Sequence, residues 1–167
     1  AISTQIERDD GAEAFKDVRI CFSGSAPLSR ETAERFFRLT GVTVVEGYGL
    51  TEASPVPHCN LPGSSREGSI GLPFPDTLCR VADLDDVTRD MPAGEKGELL
   101  VSGPQVFSGY FGNAEETRKV LYVDADAGEW LRTGDVVSVD ADGYFHVVDR
   151  KKDMIIRSGM KVYPAKP

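Results

Sequence analysis

The apolar run Val18-Arg19-Ile20-Cys21-Phe22 ends in a tight loop, Ser23-Gly24-Ser25-Ala26-Pro27, and a capped helical pattern and a second β-branched run follow it. Ser29 stands where an N-cap belongs. Ala33, Phe36, Phe37 and Leu39 recur at helical spacing until Gly41 ends the segment. Val42-Thr43-Val44-Val45-Glu46 then reads as the next strand. Strand, helix and strand in this order constrain the chain more than any other feature, because parallel neighbours need a crossover and the helix is long enough to supply it. A parallel α/β layer is therefore expected at the start of the chain.

Beyond Gly47 the texture changes. Pro55, Pro57, Pro62, Gly63, Pro73 and Pro75 punctuate a long connection without helical periodicity, and loops of this length inside domains are often functional. Strands are predicted at residues 78–82 and 98–102, on either side of an acidic, turn-rich stretch. Asn113, with Glu116 three residues on, opens a predicted helix that runs through Leu121. Residues 135–139 and 144–148 flank a Gly-ended polar turn and read as a hairpin, and a further strand is predicted at 154–157. The expected class is α/β: a partial parallel α/β layer followed by a mostly β part, with the boundary near residues 70–77.

The net charge of -8 argues against a nucleic-acid partner, since phosphate backbones demand clustered Lys and Arg. No apolar stretch approaches the roughly 20 residues that span a bilayer, and the N-terminal sequence lacks the order of a signal peptide. Cys21, Cys59 and Cys79 are odd in number and show no CxxC spacing, which suits small core or loop residues in a reducing compartment. A soluble, cytoplasmic setting is expected. Lacking an initiator Met and ending at Pro167 directly after an apolar run, the chain reads as an internal piece of a longer protein.

The segment Glu46-Gly47-Tyr48-Gly49-Leu50-Thr51-Glu52 follows directly on a predicted strand, where ligand sites of open α/β sheets gather. Glycines beside Tyr48 let backbone approach a ligand closely, and the phenol ring offers a flat face to a purine. Thr51 can donate to a phosphate oxygen, and Glu52 supplies the hard oxygen that Mg2+ prefers. Taken alone, the segment reads first as a Gly-rich turn with a packed Tyr and a solvated Glu.

Other motifs decide between these. Ser23-Gly24-Ser25-Ala26-Pro27-Leu28, Gly97-Glu98-Leu99 with Gly109-Tyr110, Trp130-Leu131-Arg132-Thr133-Gly134-Asp135, and Gly143-Tyr144-Phe145 leading into Asp149-Arg150-Lys151-Lys152-Asp153 and Ser158-Gly159-Met160-Lys161-Val162-Tyr163-Pro164 follow one another across nearly the whole chain. Together with the Tyr-Gly-x-Thr-Glu segment they resemble the adenylate-forming superfamily of AMP-forming acyl-CoA synthetases, luciferases and peptide-synthetase adenylation domains. The residues around Thr51 to Asn60 and Ser69 to Pro75 look most like bacterial long-chain fatty-acid–CoA ligases.

The resemblance implies a role for each matched position. Gly24, Ser25, Ala26 and Pro27 would lie along the adenine, with Tyr48 near its other face and Gly47 and Gly49 giving backbone contacts. Thr51 would touch the α-phosphate and Glu52 would hold Mg2+. Asp135 would accept hydrogen bonds from the ribose hydroxyls, and Arg150 would donate to the ribose or phosphate side, as an acceptor-only carboxylate and a donor-only guanidinium suit. Read without the family, Asp135 is a turn residue opening a strand and Arg150 a member of a surface ion pair. Lys152 matches the hinge about which the small domain turns. His58 reads either as lining the acyl side or as a loop residue, and His146 as a strand-face residue.

The same resemblance implies three parts: residues 1–72, the end of an α/β subdomain; 73–149, a β-rich, distorted barrel-like subdomain; and 150–167, the hinge and first strands of a small C-terminal domain. It implies fatty acid, ATP and coenzyme A as partners of the whole enzyme, and leaves open its oligomeric state and a peripheral contact with membranes. A carboxylate would attack the α-phosphate of ATP, releasing pyrophosphate, and the CoA thiol would then attack the acyl-AMP carbonyl. The family's phosphate loop is not found before residue 23, and neither Lys161 nor Lys166 matches the context of its C-terminal catalytic lysine. Trace adenylating activity at most is thus expected of this chain alone. Aryl-CoA ligases and peptide-synthetase adenylation domains share the motifs, and a non-catalytic nucleotide-binding module is the rival from another class.

Overall fold

A computed structural model describes residues 11–24, 28–124, 128–157 and 160–162. In it β1 (Cys21–Ser23) and β2 (Val44–Tyr48) pair in parallel across α1 (Arg30–Thr40), as the sequence pattern predicts. Local chemistry sets both ends of the helix. The Ser29 hydroxyl accepts the Thr32 amide at 3.3 Å, and Gly41, in the left-handed region at φ 71°, sends its N–H back to the Phe37 carbonyl at 2.7 Å. Phe36 buries itself against Val42, with Phe15 edge-on at 5.3 Å and Leu39, Cys21 and Val44 around it. Ser29→Ala is expected to lower the unfolding free energy by about 1 kcal/mol, seen as a lower urea midpoint at unchanged slope.

The Pro-rich connection is more ordered than its composition suggests. Two antiparallel pieces of two residues each, β3 (His58–Cys59) and β4 (Leu72–Pro73), extend the first sheet to the order β1-β2-β3-β4. Strands this short show no alternation in sequence.

The second sheet is five-stranded and antiparallel. Its members are β5 (Leu78–Ala82), β6 (Gly97–Ser102), β7 (Leu121–Asp124), β8 (Gly128–Val139) and β9 (Phe145–Arg150). The long β8 pairs with β6 on one side; on the other it pairs first with β7 and then with β9. Among the described residues this sheet is open rather than closed into a barrel. Leu99, Leu100 and Val101 on β6 are fully buried. Leu99 and Val101 join Val81, Val137 and Phe145 on one face, while Leu100 joins Ala82 and Trp130 on the other. Burial on both faces explains why β6 reads as a continuous apolar run, each such side chain stabilising by roughly 2 kcal/mol.

Helix α2 (Ala114–Val120), capped by Asn113 through the Glu116 amide at 3.2 Å, stops one residue short of the predicted end, and Leu121 opens β7 instead. After β9 a 3-10 turn, Lys151–Asp153, leads into the hairpin β10 (Ile155–Arg157) and β11 (Met160–Val162). The two larger sheets meet where Gly71 bridges Phe145, with the Ile70 amide on the Phe145 carbonyl at 2.8 Å and the Phe145 amide on the Gly71 carbonyl at 3.1 Å. This seam places the end of β2 beside β8 and β9. No helix among the described residues is long and apolar enough to cross a membrane.

Candidate functional site

Tyr48, the last residue of β2, crosses the seam and donates its hydroxyl to Asp135 Oδ2 at 2.5 Å. Asp135 lies in β8 directly opposite Arg150 of β9, whose Nε donates to Asp135 Oδ1 at 2.8 Å. Two side chains, one from each sheet, thus share the Asp135 carboxylate. The Asp135 side chain is 5% exposed, whereas that of Arg150 is 51% exposed, so the guanidinium remains open to a ligand. Each carboxylate oxygen offers about two acceptor directions, so Asp135 can accept two further hydrogen bonds without losing either partner. Thr133 fixes the approach: its hydroxyl donates to the Leu99 carbonyl at 2.9 Å and accepts the Asp135 amide at 3.1 Å. A shift in pairing register between Val136 and Val137 lies next to the site.

Burial, helped by the Asp135 charge, pushes the Tyr48 phenol far above its usual range, so it stays a donor at every physiological pH. Its ring packs edge-on against His58 at 5.8 Å. His58 is not a loop residue: it lies in β3, is fully buried, and packs edge-on against Phe145 at 4.8 Å. His146, on the strand face as expected, has Nδ1 3.2 Å from the Gly68 carbonyl and Nε2 3.1 Å from Asp140.

Thr51 and Glu52 begin the 3-10 turn Thr51–Ala53 that follows β2. Thr51 is exposed and Glu52 half-buried. Glu52 is tied down twice: Tyr110 Oη donates to its Oε1 at 2.6 Å, and the Phe107 amide donates to its carbonyl at 2.9 Å. Among the described residues no group of three or more His, Cys, Asp or Glu could hold a metal ion. A cation here would have Glu52 as its protein carboxylate. That fits Mg2+, which commonly takes one or two carboxylates and completes its octahedron with phosphate oxygens and water.

The glycines beside Tyr48 have reasons of their own. A Cβ on Gly49 would stand 2.1 Å from the Pro55 carbonyl oxygen, which also accepts the Leu50 amide at 2.8 Å, so this glycine is required by the turn itself. Gly24 and Gly47 lie side by side, a Cβ on Gly24 reaching 3.4 Å from the Gly47 carbonyl. Glu46 accepts the Leu28 amide at 2.8 Å and so ties the far end of the β1 loop to β2. Ser25, Ala26 and Pro27 lie outside the described residues. Lys152 sits exposed in the turn after β9, away from these contacts.

Sequence reasoning missed two features. Tyr110 was visible as a motif residue, but nothing in its surroundings linked it to Glu52. Glu98, 2% exposed on β6, receives Arg132 at 2.9 Å and Lys151 at 2.8 Å, and these cations hold its carboxyl below the ordinary range against the cost of burial. Lys151 follows Arg150, so neighbouring residues of one segment are fastened to two different carboxylates.

The chain is 45% identical over 152 residues to a long-chain-fatty-acid–CoA ligase of Bacillus subtilis, and 42% identical over 155 residues to a feruloyl-CoA synthase of an Amycolatopsis species. Each alignment covers 90% of this chain but only 26% and 30% of the respective relative, so the chain spans about a quarter to a third of their length. Among solved structures, an anthranilate CoA ligase in complex with anthranoyl-AMP superimposes with a TM-score of 0.75 at 31% identity, covering 98% of this chain and 34% of that one. The family model described as AMP-binding enzyme matches residues 3–111, which include β1, the β2 turn and Tyr110. Because this match runs over well more than half of the chain, the chain belongs to the family of AMP-binding enzymes.

Proposed function

We propose that this chain carries the adenosine and α-phosphate contacts of an ATP-dependent long-chain fatty-acid–CoA ligase, which forms acyl-AMP and then acyl-CoA. The observation that supports it most is the Tyr48, Asp135 and Arg150 constellation, drawn together from positions up to 102 residues apart (150 − 48) at the seam of two sheets. In this reading Asp135 accepts the ribose hydroxyls on its remaining lone pairs. Arg150 donates from its exposed guanidinium to the ribose or phosphate side. The Tyr48 ring, held by its own hydroxyl, gives one wall of the adenine slot, and the loop of Gly24, Ser25, Ala26 and Pro27 gives the other. Gly47 and Gly49 supply backbone contacts, Thr51 donates to the α-phosphate, and Glu52 holds Mg2+. The cation would neutralise phosphate charge as the acyl carboxylate attacks.

No covalent nucleophile is needed. The residues act by positioning and by fixed donors where charge develops. Lys152, exposed in the turn after β9, suits a hinge residue because its backbone can change without losing a buried contact. Three free cysteines suit a cytoplasmic setting.

The test is calorimetric titration of the chain with a non-hydrolysable acyl-AMP analogue. Asp135→Asn keeps the shape but loses the charge on which both protein donors and the ribose converge. Binding is expected to weaken on the order of tenfold, about 1.4 kcal/mol. Equal affinity in the two proteins would remove the reading. A second reading, an aryl-CoA ligase, is favoured by the feruloyl-CoA synthase at nearly the same identity as the fatty-acid enzyme. Paired analogues with aliphatic and aromatic acyl groups separate the two.

A further inference from the structure

Glu52 is better fixed than a lone carboxylate in a three-residue turn needs to be. Its carbonyl accepts the Phe107 amide at 2.9 Å, and its side chain accepts Tyr110 Oη at 2.6 Å, both from one loop more than 50 residues along the chain. That loop is itself braced. The Phe107 and Tyr110 rings meet edge-on at 4.9 Å, and the Tyr110 amide donates to Thr117 Oγ1 at 2.9 Å. Thr117 Oγ1 in turn donates to the Asn113 carbonyl at 2.9 Å, at the cap of α2. Gly109, at φ 131°, allows the close approach: a Cβ there would stand 2.7 Å from Thr117 Cγ2. Helix, loop and phenol form one hydrogen-bonded arm that ends on a single carboxylate oxygen.

We propose that Tyr110 is a positioning residue that holds the Glu52 side chain in one conformation, with Oε1 occupied and Oε2 presented to the divalent cation. This rests on the reading of Glu52 as the Mg2+ carboxylate and adds to it the residue that orients the ligand. A free glutamate loses the freedom of three rotatable bonds when it captures a cation, and a side chain already ordered has little left to lose. Partners that orient metal ligands commonly affect metal affinity as the ligands themselves do. The phenol donates one hydrogen bond to Oε1 and leaves Oε2 free of that contact, so it organises the ligand without competing for the metal.

The test uses Tyr110→Phe, which keeps the ring, its contact with Phe107 and its backbone bond to Thr117. Binding of ATP to the chain is measured by calorimetry across a Mg2+ series and again with EDTA, beside Glu52→Gln. In Tyr110→Phe the Mg2+ midpoint is expected to rise about fivefold, with metal-free ATP affinity and thermal midpoint unchanged. Glu52→Gln should abolish most of the Mg2+ response. A Glu52→Gln protein that keeps the full response overturns the underlying reading of Glu52. If Glu52→Gln loses the response while Tyr110→Phe titrates like the parent, the role of Tyr110 alone is overturned. A fall in metal-free ATP affinity in Tyr110→Phe also counts against it, since that marks general damage to the site.

Discussion

Gly71→Ala is expected to destabilise the chain by about 4 kcal/mol or more and to uncouple its two large sheets. Gly71 adopts φ +89°, and a Cβ built there would lie 2.1 Å from both the carbon and the oxygen of the Cys59 carbonyl and 2.3 Å from the Asn60 amide nitrogen. All three are backbone atoms, so no rotamer change can relieve the overlap. Either β3 and β4 must separate or the bridge to Phe145 must break, and both lie on the seam that brings Tyr48 to Asp135. Gly94→Ala is the matched control. It carries nearly the same φ, +86°, but its Cβ meets nothing within 4 Å, so only the conformational penalty of about 1 kcal/mol applies. Urea unfolding followed through the single, buried Trp130 measures both variants. Equal losses would show that the backbone approach at Gly71 is not as close as described.

Much of the scaffold was legible because its signals are local. The caps of α1, the Asn113 cap of α2 and the polar turn between β8 and β9 each sit within a few residues of the element they define, and all three appear where the residues place them. β3 and β4 were not legible, because two residues show no alternation and a proline stands in one of them. The candidate site was legible only through the order of motifs. Nothing local to Asp135 says that a tyrosine 87 residues earlier will donate to it, or that Arg150 will face it across a hairpin. Alone, Asp135 reads as a turn residue opening a strand and Arg150 as a member of a surface ion pair.

Glu98 shows the limit in another form. A glutamate at the head of the apolar run Leu99-Leu100-Val101 carries a charge that favours water, yet its side chain is 3% exposed. It is kept there by cations 34 and 53 residues away, and no window on the sequence spans both. Glycines mislead in the opposite direction. Gly49 looks like an opening for a ligand, but the neighbouring Pro55 carbonyl already occupies the space a side chain would need.

Acidification from about pH 7 to about pH 5 is expected to cost the chain about 2 kcal/mol through His58 alone, and about 3 kcal/mol by about pH 4. The imidazole is fully exposed to water only when the chain unfolds. In the folded state it is entirely buried, its Nδ1 has no hydrogen-bond partner, and Nε2 lies 3.4 Å from Cys79 Sγ. Burial lowers its pKa from 6.5 to about 4. Its neighbours do not help it charge: the same burial pushes the Cys79 thiol up to about 12 and the Tyr48 phenol higher still, so both stay neutral. Because the folded pKa lies below the unfolded one, the stability is fully present above about pH 6.5 and is lost as pH falls towards the folded value. His58→Phe removes the titrating group and the orphaned nitrogen while keeping an aromatic ring between Tyr48 and Phe145. Parent and variant should diverge in unfolding free energy below about pH 6.5, with the variant flatter, whatever their offset at neutral pH. Parallel curves down to about pH 5 would mean that His58 reaches water in the folded state, and the packed wall behind Tyr48 would then be wrong as described.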